Sequence, residues 1–202
     1  MKILFQLIIL FCFVSTSLQA QPKNYIDKIK DFQQAYVKGH EVVLKKDKNY
    51  FRFFPVNKKY HVKASFNKLA DTVGFIMKTS GTKDKKFFRY GTIHFTIDDT
   101  PLKLTLYQSQ QLLTDTAFKD YLFLPFTDLT SGEESYGGGR YVDPKLTDIK
   151  NNIIVIDFNK AYNPYCAFAN GYNCPIPPRE NDLPVAIRAG EKAFGKKEDK
   201  FN

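Results

Sequence analysis

The residues most capable of chemistry lie between positions 125 and 191, where glycine, proline, carboxylates and amides are concentrated. Such residue types meet local backbone or chemical demands that ordinary packing does not make. We therefore predict that residues 128–181 form a rim that binds a ligand. The candidate binding side chains combine one arginine with carboxylates, amides and tyrosines: Arg140, Glu133, Tyr136, Asp157, Asn159, Tyr162, Asn163, Glu180 and Asn181. The segment contains no recognisable catalytic motif, so no catalytic residue is assigned.

Arg140 has two interpretations, and both stay open at this point. It follows three glycines, 137–139, which would let the backbone approach a ligand closely or form a bulge. Its guanidinium could then bind a carboxylate or phosphate. Alternatively, it could be buried in an ion pair with Glu133, Glu134 or Asp157 that stabilises the fold. The glycines are not a phosphate loop, because the Gly-Lys-Ser/Thr ending and the strand–helix context are missing.

The carboxylates of this segment allow three further interpretations. Loops and strand ends often meet at one rim, so Glu133 and Glu180 could serve as the acid and base of a hydrolase that cleaves glycosides. Three such groups could instead hold calcium. For any single carboxylate we favour a structural role in a turn or an ion pair, since such networks are common.

Tyrosines and asparagines alternate through residues 136–181, although the chain has no tryptophan. Such a surface can recognise a saccharide or a peptide through stacking and amide hydrogen bonds. An aromatic core with paired hydroxyl groups is the alternative explanation.

Cys166 and Cys174 are predicted to form a disulfide. The seven residues between them include Gly171 and Asn173, so the intervening loop can turn back. A zinc site needs four ligands, and the three histidines (positions 40, 61 and 94) lie far upstream. We therefore predict no metal and no cofactor, and we assign no catalytic thiol because neither cysteine has a base nearby.

The first twenty residues have the layout of a signal peptide. Lys2 is followed by an apolar run, 3–14, and by a small and polar segment that ends at Ala20. The apolar run is shorter than the roughly 20 residues that span a membrane. We predict cleavage near Ala20 and a periplasmic or extracellular location, with an uncleaved signal anchor as the alternative.

The charge of the chain is uneven. Residues 21–90 contain 17 Lys and Arg against 6 Asp and Glu, whereas residues 91–194 contain 9 against 13. Only five of the basic residues are arginines, the side chain that nucleic-acid recognition uses most. We predict no nucleic-acid partner, and we expect the basic excess to cause weak association with an anionic cell envelope. The oligomeric state is not indicated.

The periodicity predicts a mainly β (α+β) protein. Tyr25, Ile29 and Phe32 begin a helix-like pattern over 24–46. Eight or nine strands follow, which predicts an antiparallel domain that is barrel-like or a sandwich. The clearest hairpin pairs 91–97 with 102–107 around the turn sequence 98–101. The other predicted strands are 50–54, 60–66, 73–78, 121–126, 139–142, 153–158 and 185–189. The predicted organisation is a signal peptide (1–20), a helical segment (21–50), a single β-rich domain (51–194) and a charged tail (195–202).

Three stretches of the chain resemble a bacterial family known as domain of unknown function 1684. They are 124–141, which contains Tyr136-Gly-Gly-Gly-Arg140-Tyr, then 157–167, and finally 174–181 with Cys174-Pro-Ile-Pro-Pro. The resemblance extends from about Phe51 to Phe194, and Ser135 stands where threonine is expected. It implies that residues 125–191 form one shared feature, but it implies no activity that could be transferred.

The sequence thus predicts an exported bacterial protein that binds a small or oligomeric ligand, for example a saccharide, at the rim formed by residues 128–181. A cell-envelope hydrolase with paired carboxylates and a purely structural motif are the alternatives.

Overall fold

A computed structural model describes residues 23–196 of the chain. The predicted signal peptide lies outside the described residues, as does most of the predicted charged tail. Helix α1 spans Tyr25–Gly39 and begins at Asn24, whose side chain accepts a hydrogen bond from the Asp27 N–H. The predicted helix extended to residue 46, but His40 is extended and ends α1. A second helix, α2, spans Gln110–Leu113.

Residues 23–196 contain seven strands, and all of their pairings are antiparallel. They are β1 (His61–Lys68), β2 (Phe75–Met77), β3 (Lys85–Ile97), β4 (Thr100–Ser109), β5 (Leu124–Phe126), β6 (Arg140–Val142) and β7 (Ile153–Asp157). Five of them form one sheet in the order β2-β3-β1-β7, with β4 also paired to β3. Strands β5 and β6 form a separate two-stranded sheet.

The predicted hairpin is the β3–β4 pair. Asp98 and Asp99 both have positive φ, 47° and 60°, and together they form a two-residue turn. The turn is therefore shorter than the predicted 98–101, because Thr100 and Pro101 already belong to β4 and pair with Ile97 and Thr96.

The barrel-like alternative is wrong, because the five-stranded sheet stays open and the described residues contain no closed barrel. Two of the predicted strands also do not form. In place of the predicted strand 50–54, residues 45–50 form a 3₁₀ helix, and Phe53 makes only an isolated β-bridge. Residues 185–189 form no strand, because the carbonyls of Ile187 and Ala189 bind a side chain, that of Arg140, instead of a neighbouring strand.

The main core lies on one face of the five-stranded sheet. Side chains alternate along β1, so that Val62, Ala64 and Phe66 are buried while the residues between them are exposed. Strands β5 and β6 and the C-terminal segment contribute Phe126, Val142, Ile187 and other residues to the same core. A smaller core contains Met77, Phe87, Tyr107, Phe123 and Tyr141. The motif-rich segment therefore packs over the buried face of the sheet.

Candidate functional site

Arg140 is completely buried and is bound by protein groups on several sides. One terminal nitrogen donates to the Asp128 carboxylate at 2.7 Å and to the Ile187 carbonyl at 2.8 Å. The other terminal nitrogen donates to the carbonyls of Ala189 and Glu191, at 2.5 and 3.1 Å. Burial lowers the pKa of Arg140, and the Asp128 carboxylate opposes that shift. Of its two predicted interpretations, this geometry matches the buried ion pair, but the partner is Asp128 rather than Glu133, Glu134 or Asp157.

Asp128 extends this Arg140 network into the backbone. Its second carboxylate oxygen accepts from the N–H groups of Thr130 and Ile187, at 2.8 and 3.1 Å. Gly139, next to Arg140, has a φ of +84°, and a Cβ there would lie 2.7 Å from the Phe126 carbonyl oxygen. The glycine is therefore required by the close approach of two strands, β5 and β6, and not by a ligand.

Two predicted site residues, Asp157 and Asn159, tie α1 to the end of β7. The Tyr25 hydroxyl donates to the Asp157 carboxylate at 3.0 and 3.1 Å. The Asn159 amide donates to Asp157 and to the Asn57 carbonyl, and its oxygen accepts from the Asn57 N–H. The Asn159 backbone carbonyl accepts from Gln33 at 3.4 Å. Asp157 and Asn159 thus connect the helix to the sheet.

Asn181 and Asn163 make similar internal connections. Asn181 is buried, accepts from the Thr105 N–H at 2.7 Å and donates to the carbonyls of Thr105 and Pro125. It therefore joins β4 to β5. Asn163 is also buried and donates through its amide to the Lys192 carbonyl at 2.8 Å. Both amides satisfy backbone groups that no strand pairs.

Glu133, Tyr136 and Glu180 do not converge on one cleft. Glu133 is exposed in the 130–135 turn, and Tyr136 is half-buried beside Gly138. Glu180 accepts from Arg89 at 2.9 Å and from the Tyr107 hydroxyl at 2.6 Å. Glu180 thus forms an ion pair with Arg89, whereas Glu133 is exposed.

Glu191 is a buried carboxyl group that is not among the predicted binding residues. One of its oxygens accepts from the Asn163 N–H at 2.8 Å and from the Tyr36 hydroxyl at 3.1 Å. Its other oxygen has no partner among the described residues. Burial raises the pKa of Glu191 to about 8, so the group is mostly uncharged at pH 7. Its only signal in the sequence is its position at the end of the 125–191 segment, next to Gly190.

A cavity with a volume of about 910 Å³ lies between α1 and residues 164–175, here called the disulfide loop. We call it the tyrosine cavity, because five tyrosines contribute to its walls. Its lining residues are Ala35, Tyr36, Gly39, His40, Lys83, Asp84, Lys85, Gln111, Tyr141, Tyr162, Pro164, Tyr165, Tyr172, Asn173, Cys174 and Pro175. Of the predicted binding residues, the structure brings only Tyr162 to this cavity, and Cys174 of the predicted disulfide also lines it.

The tyrosines fall into two groups. The hydroxyl groups of Tyr36, Tyr141 and Tyr162 already donate within the protein, to Glu191, the Pro175 carbonyl and Asp143 respectively. The hydroxyl groups of Tyr165 and Tyr172 make no hydrogen bond with the described residues, and the two residues are 41% and 38% exposed. These two rings meet edge to face with centroids 5.2 Å apart, so both belong to the open side of the cavity.

His40 is neutral and enclosed by aromatic rings. Its Nδ1 accepts from the Val43 N–H at 3.2 Å, which assigns the proton of the neutral ring to Nε2. Burial lowers its pKa to about 4. The ring contacts Phe51, Phe168 and Tyr165, and Nε2 is buried without a partner in the described part of the chain. His40 thus supports the wall without adding charge near pH 7.

The predicted disulfide between Cys166 and Cys174 is present and holds the disulfide loop. Further contacts attach this loop to residues 78–83. The Ser80 N–H donates to the Cys174 carbonyl at 2.9 Å, and the Lys83 N–H donates to the Asn173 side chain at 3.0 Å. This attachment brings Lys83 and Lys85 to the cavity, whereas their sequence positions indicate only a general basic excess.

Together, these features define a protein with an open antiparallel sheet, an internal Arg140 network and a tyrosine-lined cavity. The chain belongs to the family described as "Protein of unknown function (DUF1684)", whose model matches residues 49–192. The matched range contains the whole Arg140 network but begins after α1.

One solved structure with the same fold is the solution NMR structure of the uncharacterized protein from gene locus rrnAC0354 of Haloarcula marismortui. It is 24% identical, with a TM-score of 0.61, and the similarity covers 87% of this chain and 99% of that chain. No curated protein matches the chain.

Proposed function

We propose that this chain is an exported protein that binds a small ligand in the tyrosine cavity. The observation that carries the proposal is the cavity itself, whose volume of about 910 Å³ lies within the range of small-molecule sites, roughly 300–1,000 Å³. Its walls combine aromatic rings with a few polar groups, as such sites require. Within the predicted rim of residues 128–181, the proposed site therefore consists of residues 162–175 and the surfaces that face them, not of the Arg140 network.

The cavity favours binding over hydrolysis by paired carboxylates. Asp84 is the one carboxylate among its lining residues. Glu180 is held by Arg89, and Glu134 by Arg188. A glycosidase needs two carboxyl groups on opposite sides of the bond it cleaves, and the lining of this cavity supplies one.

Export is part of the same proposal. The signal-peptide layout of residues 1–20 supports it, and so does the disulfide, because disulfides persist in oxidising compartments. The test is expression of the full chain in a bacterial host, followed by mass spectrometry of the periplasmic fraction. The expected product begins at Gln21, whereas an intact chain retained in the cytoplasm would contradict the proposal.

Ligand binding is tested by thermal unfolding of residues 21–202 against a broad panel of sugars, organic acids, phosphates and peptides. A ligand that binds only the folded state raises the midpoint of unfolding. The expected result is a compound that stabilises the wild type but not Tyr165→Ala/Tyr172→Ala. Tyr50→Ala is the matched control, since Tyr50 is 37% exposed and does not line the cavity. Equal stabilisation of the double variant and the wild type would place the site elsewhere.

A further inference from the structure

We infer that the ligand of the tyrosine cavity carries an oxyanion, a carboxylate or phosphate, which Lys83 and Lys85 bind while the rings of Tyr165 and Tyr172 pack against the rest of the molecule. This inference rests on the proposed function and adds the chemical class of the ligand. It depends on the charges and on the uncommitted hydrogen-bond donors of the cavity walls.

The first argument is the unused positive charge. Lys83 and Lys85 both line the cavity, Lys83 exposed and Lys85 half-buried. Within residues 23–196, neither ammonium group makes an ion pair, a hydrogen bond or a contact with an aromatic ring. Many other cations of the described chain have such a partner, including Arg89 with Glu180 and Arg188 with Glu134. Two unpaired ammonium groups on one cavity wall provide a site for an anion.

The second argument is the absence of competing negative charge. Asp84 is the one carboxylate among the lining residues, so Lys83 and Lys85 give the walls a formal net charge of +1. Glu191 lies behind Tyr36, but burial raises its pKa to about 8 and keeps it mostly neutral at pH 7. His40 is neutral as well. The electrostatic character of the walls is therefore set by the two lysines.

The third argument is the inventory of hydrogen-bond groups. The hydroxyl groups of Tyr36, Tyr141 and Tyr162 donate hydrogen bonds to acceptors inside the protein. The hydroxyl groups of Tyr165 and Tyr172 have no such acceptor among the described residues, and both residues line the same cavity as the two lysines. The uncommitted groups of the cavity are thus chiefly donors, and a ligand rich in acceptors satisfies them.

Calorimetric titration of the disulfide-bonded chain 21–202 tests the inference with three probes: digalacturonic acid, glucose 6-phosphate and the neutral sugar maltose. The two acidic probes separate a carboxylate from a phosphate. We expect one of them to bind, and Lys83→Ala/Lys85→Ala to weaken that binding about 10- to 100-fold, since a hydrogen bond to a charged group is worth about 1.5–3 kcal/mol. Binding should also weaken between low and high NaCl concentrations.

Lys63→Ala/Lys103→Ala is the matched control, because both lysines are exposed on strands β1 and β4 and do not line the cavity. It should bind as the wild type does. The wild type and both lysine double variants should have the same midpoint of thermal unfolding. The reason is that the ammonium groups of Lys83 and Lys85 make no ion pair or hydrogen bond with the described residues.

Two results overturn the oxyanion inference while leaving the proposed function intact. One is binding of maltose that the Tyr165→Ala/Tyr172→Ala variant loses and the lysine variant keeps. The other is a ligand from the broad panel that needs the two tyrosines but carries no oxyanion. If neither the three probes nor the broad panel binds, both the inference and the proposed function fail.

Discussion

Arg140 is a buried cation, and its ion pair with Asp128 determines how much a substitution of Arg140 would destabilise the protein. In Arg140→Met, the Asp128 carboxylate would remain buried without its counter-charge. Breaking a buried pair by removing one partner costs about 3–5 kcal/mol. We therefore expect the free energy of unfolding, measured in urea, to fall by roughly that amount.

Arg188→Met is the matched control for that experiment. Its ion pair with Glu134 has the same 2.7 Å separation, but the side chains are 59% and 37% exposed. An exposed pair contributes about 0–1 kcal/mol. Similar losses in the two variants would show that the Arg140–Asp128 pair does not stabilise the fold through burial.

Glu191 should make stability depend on pH. The pKa of this carboxyl group rises from 4.5 to about 8 on folding, so between these values the unfolded chain releases a proton that the folded chain keeps. The contribution of the uncharged Glu191 carboxyl group to the free energy of unfolding is complete below about pH 4.5. It decreases as the pH rises above 4.5 and is lost once the pH passes 8. The expected slope is on the order of 1.4 kcal/mol per pH unit.

Glu191→Gln tests this slope, because the amide cannot ionise and still offers an oxygen to Tyr36 and Asn163. Urea unfolding is measured at several pH values between 5 and 9. The free energy of unfolding of the variant should increase relative to that of the wild type as the pH rises. Parallel pH profiles for the two proteins would mean that Glu191 is ionised in the folded state.

At the scale of elements, the disulfide loop forms one wall of the tyrosine cavity. The double variant Cys166→Ser/Cys174→Ser would free a loop with seven residues between the cysteines. Chain entropy predicts a loss of about 2.5 kcal/mol in urea unfolding. We also expect weaker ligand binding, since Tyr165 and Tyr172 lie on this loop. Unchanged affinity in the double variant would show that the Ser80 and Asn173 hydrogen bonds suffice to hold the wall.

Local pattern predicted some elements better than others, for a physical reason. The β3–β4 hairpin was predicted because alternating side chains and a turn sequence are neighbours in the chain. Residues 185–189 alternate in the same way, with Ile187 and Ala189 buried, yet they form no strand. Their carbonyls bind Arg140, a residue about fifty positions away, and side-chain periodicity carries no information about such a partner.

At the scale of the whole molecule, α1 is joined to the rest of the protein although it precedes the range that the family model matches. It buries Ile29, and Tyr25 and Tyr36 donate to Asp157 and Glu191. We expect a chain that begins at residue 45 to unfold at a clearly lower temperature, because it exposes these buried groups. Circular dichroism during heating measures the change.

The control for this truncation is Lys23→Ala/Asp31→Ala, which removes an exposed ion pair of the same segment. Its midpoint should stay close to that of the wild type, since such pairs contribute little. If the truncated chain melts like the wild type, the contacts of α1 do not stabilise the domain.

The sequence by itself determined features that depend on neighbouring residues. These are the mainly β content, the hairpin around Asp98, the pairing of Cys166 with Cys174 and the family resemblance. It also located the segment from which the disulfide loop and the Arg140 network are built. Each of these follows from the spacing of residues or from local backbone preference, and both can be read from the sequence without knowledge of distant contacts.

Only the tertiary structure decided which residues meet across the chain. It paired Arg140 with Asp128, buried Glu191 behind Tyr36, and brought Lys83 and Lys85 to the disulfide loop. The tyrosine cavity combines segments from α1, the start of β3 and residues 162–175. Its existence depends on how these segments pack, because a side chain becomes a ligand, a wall or an internal partner only when long-range contacts fix what surrounds it.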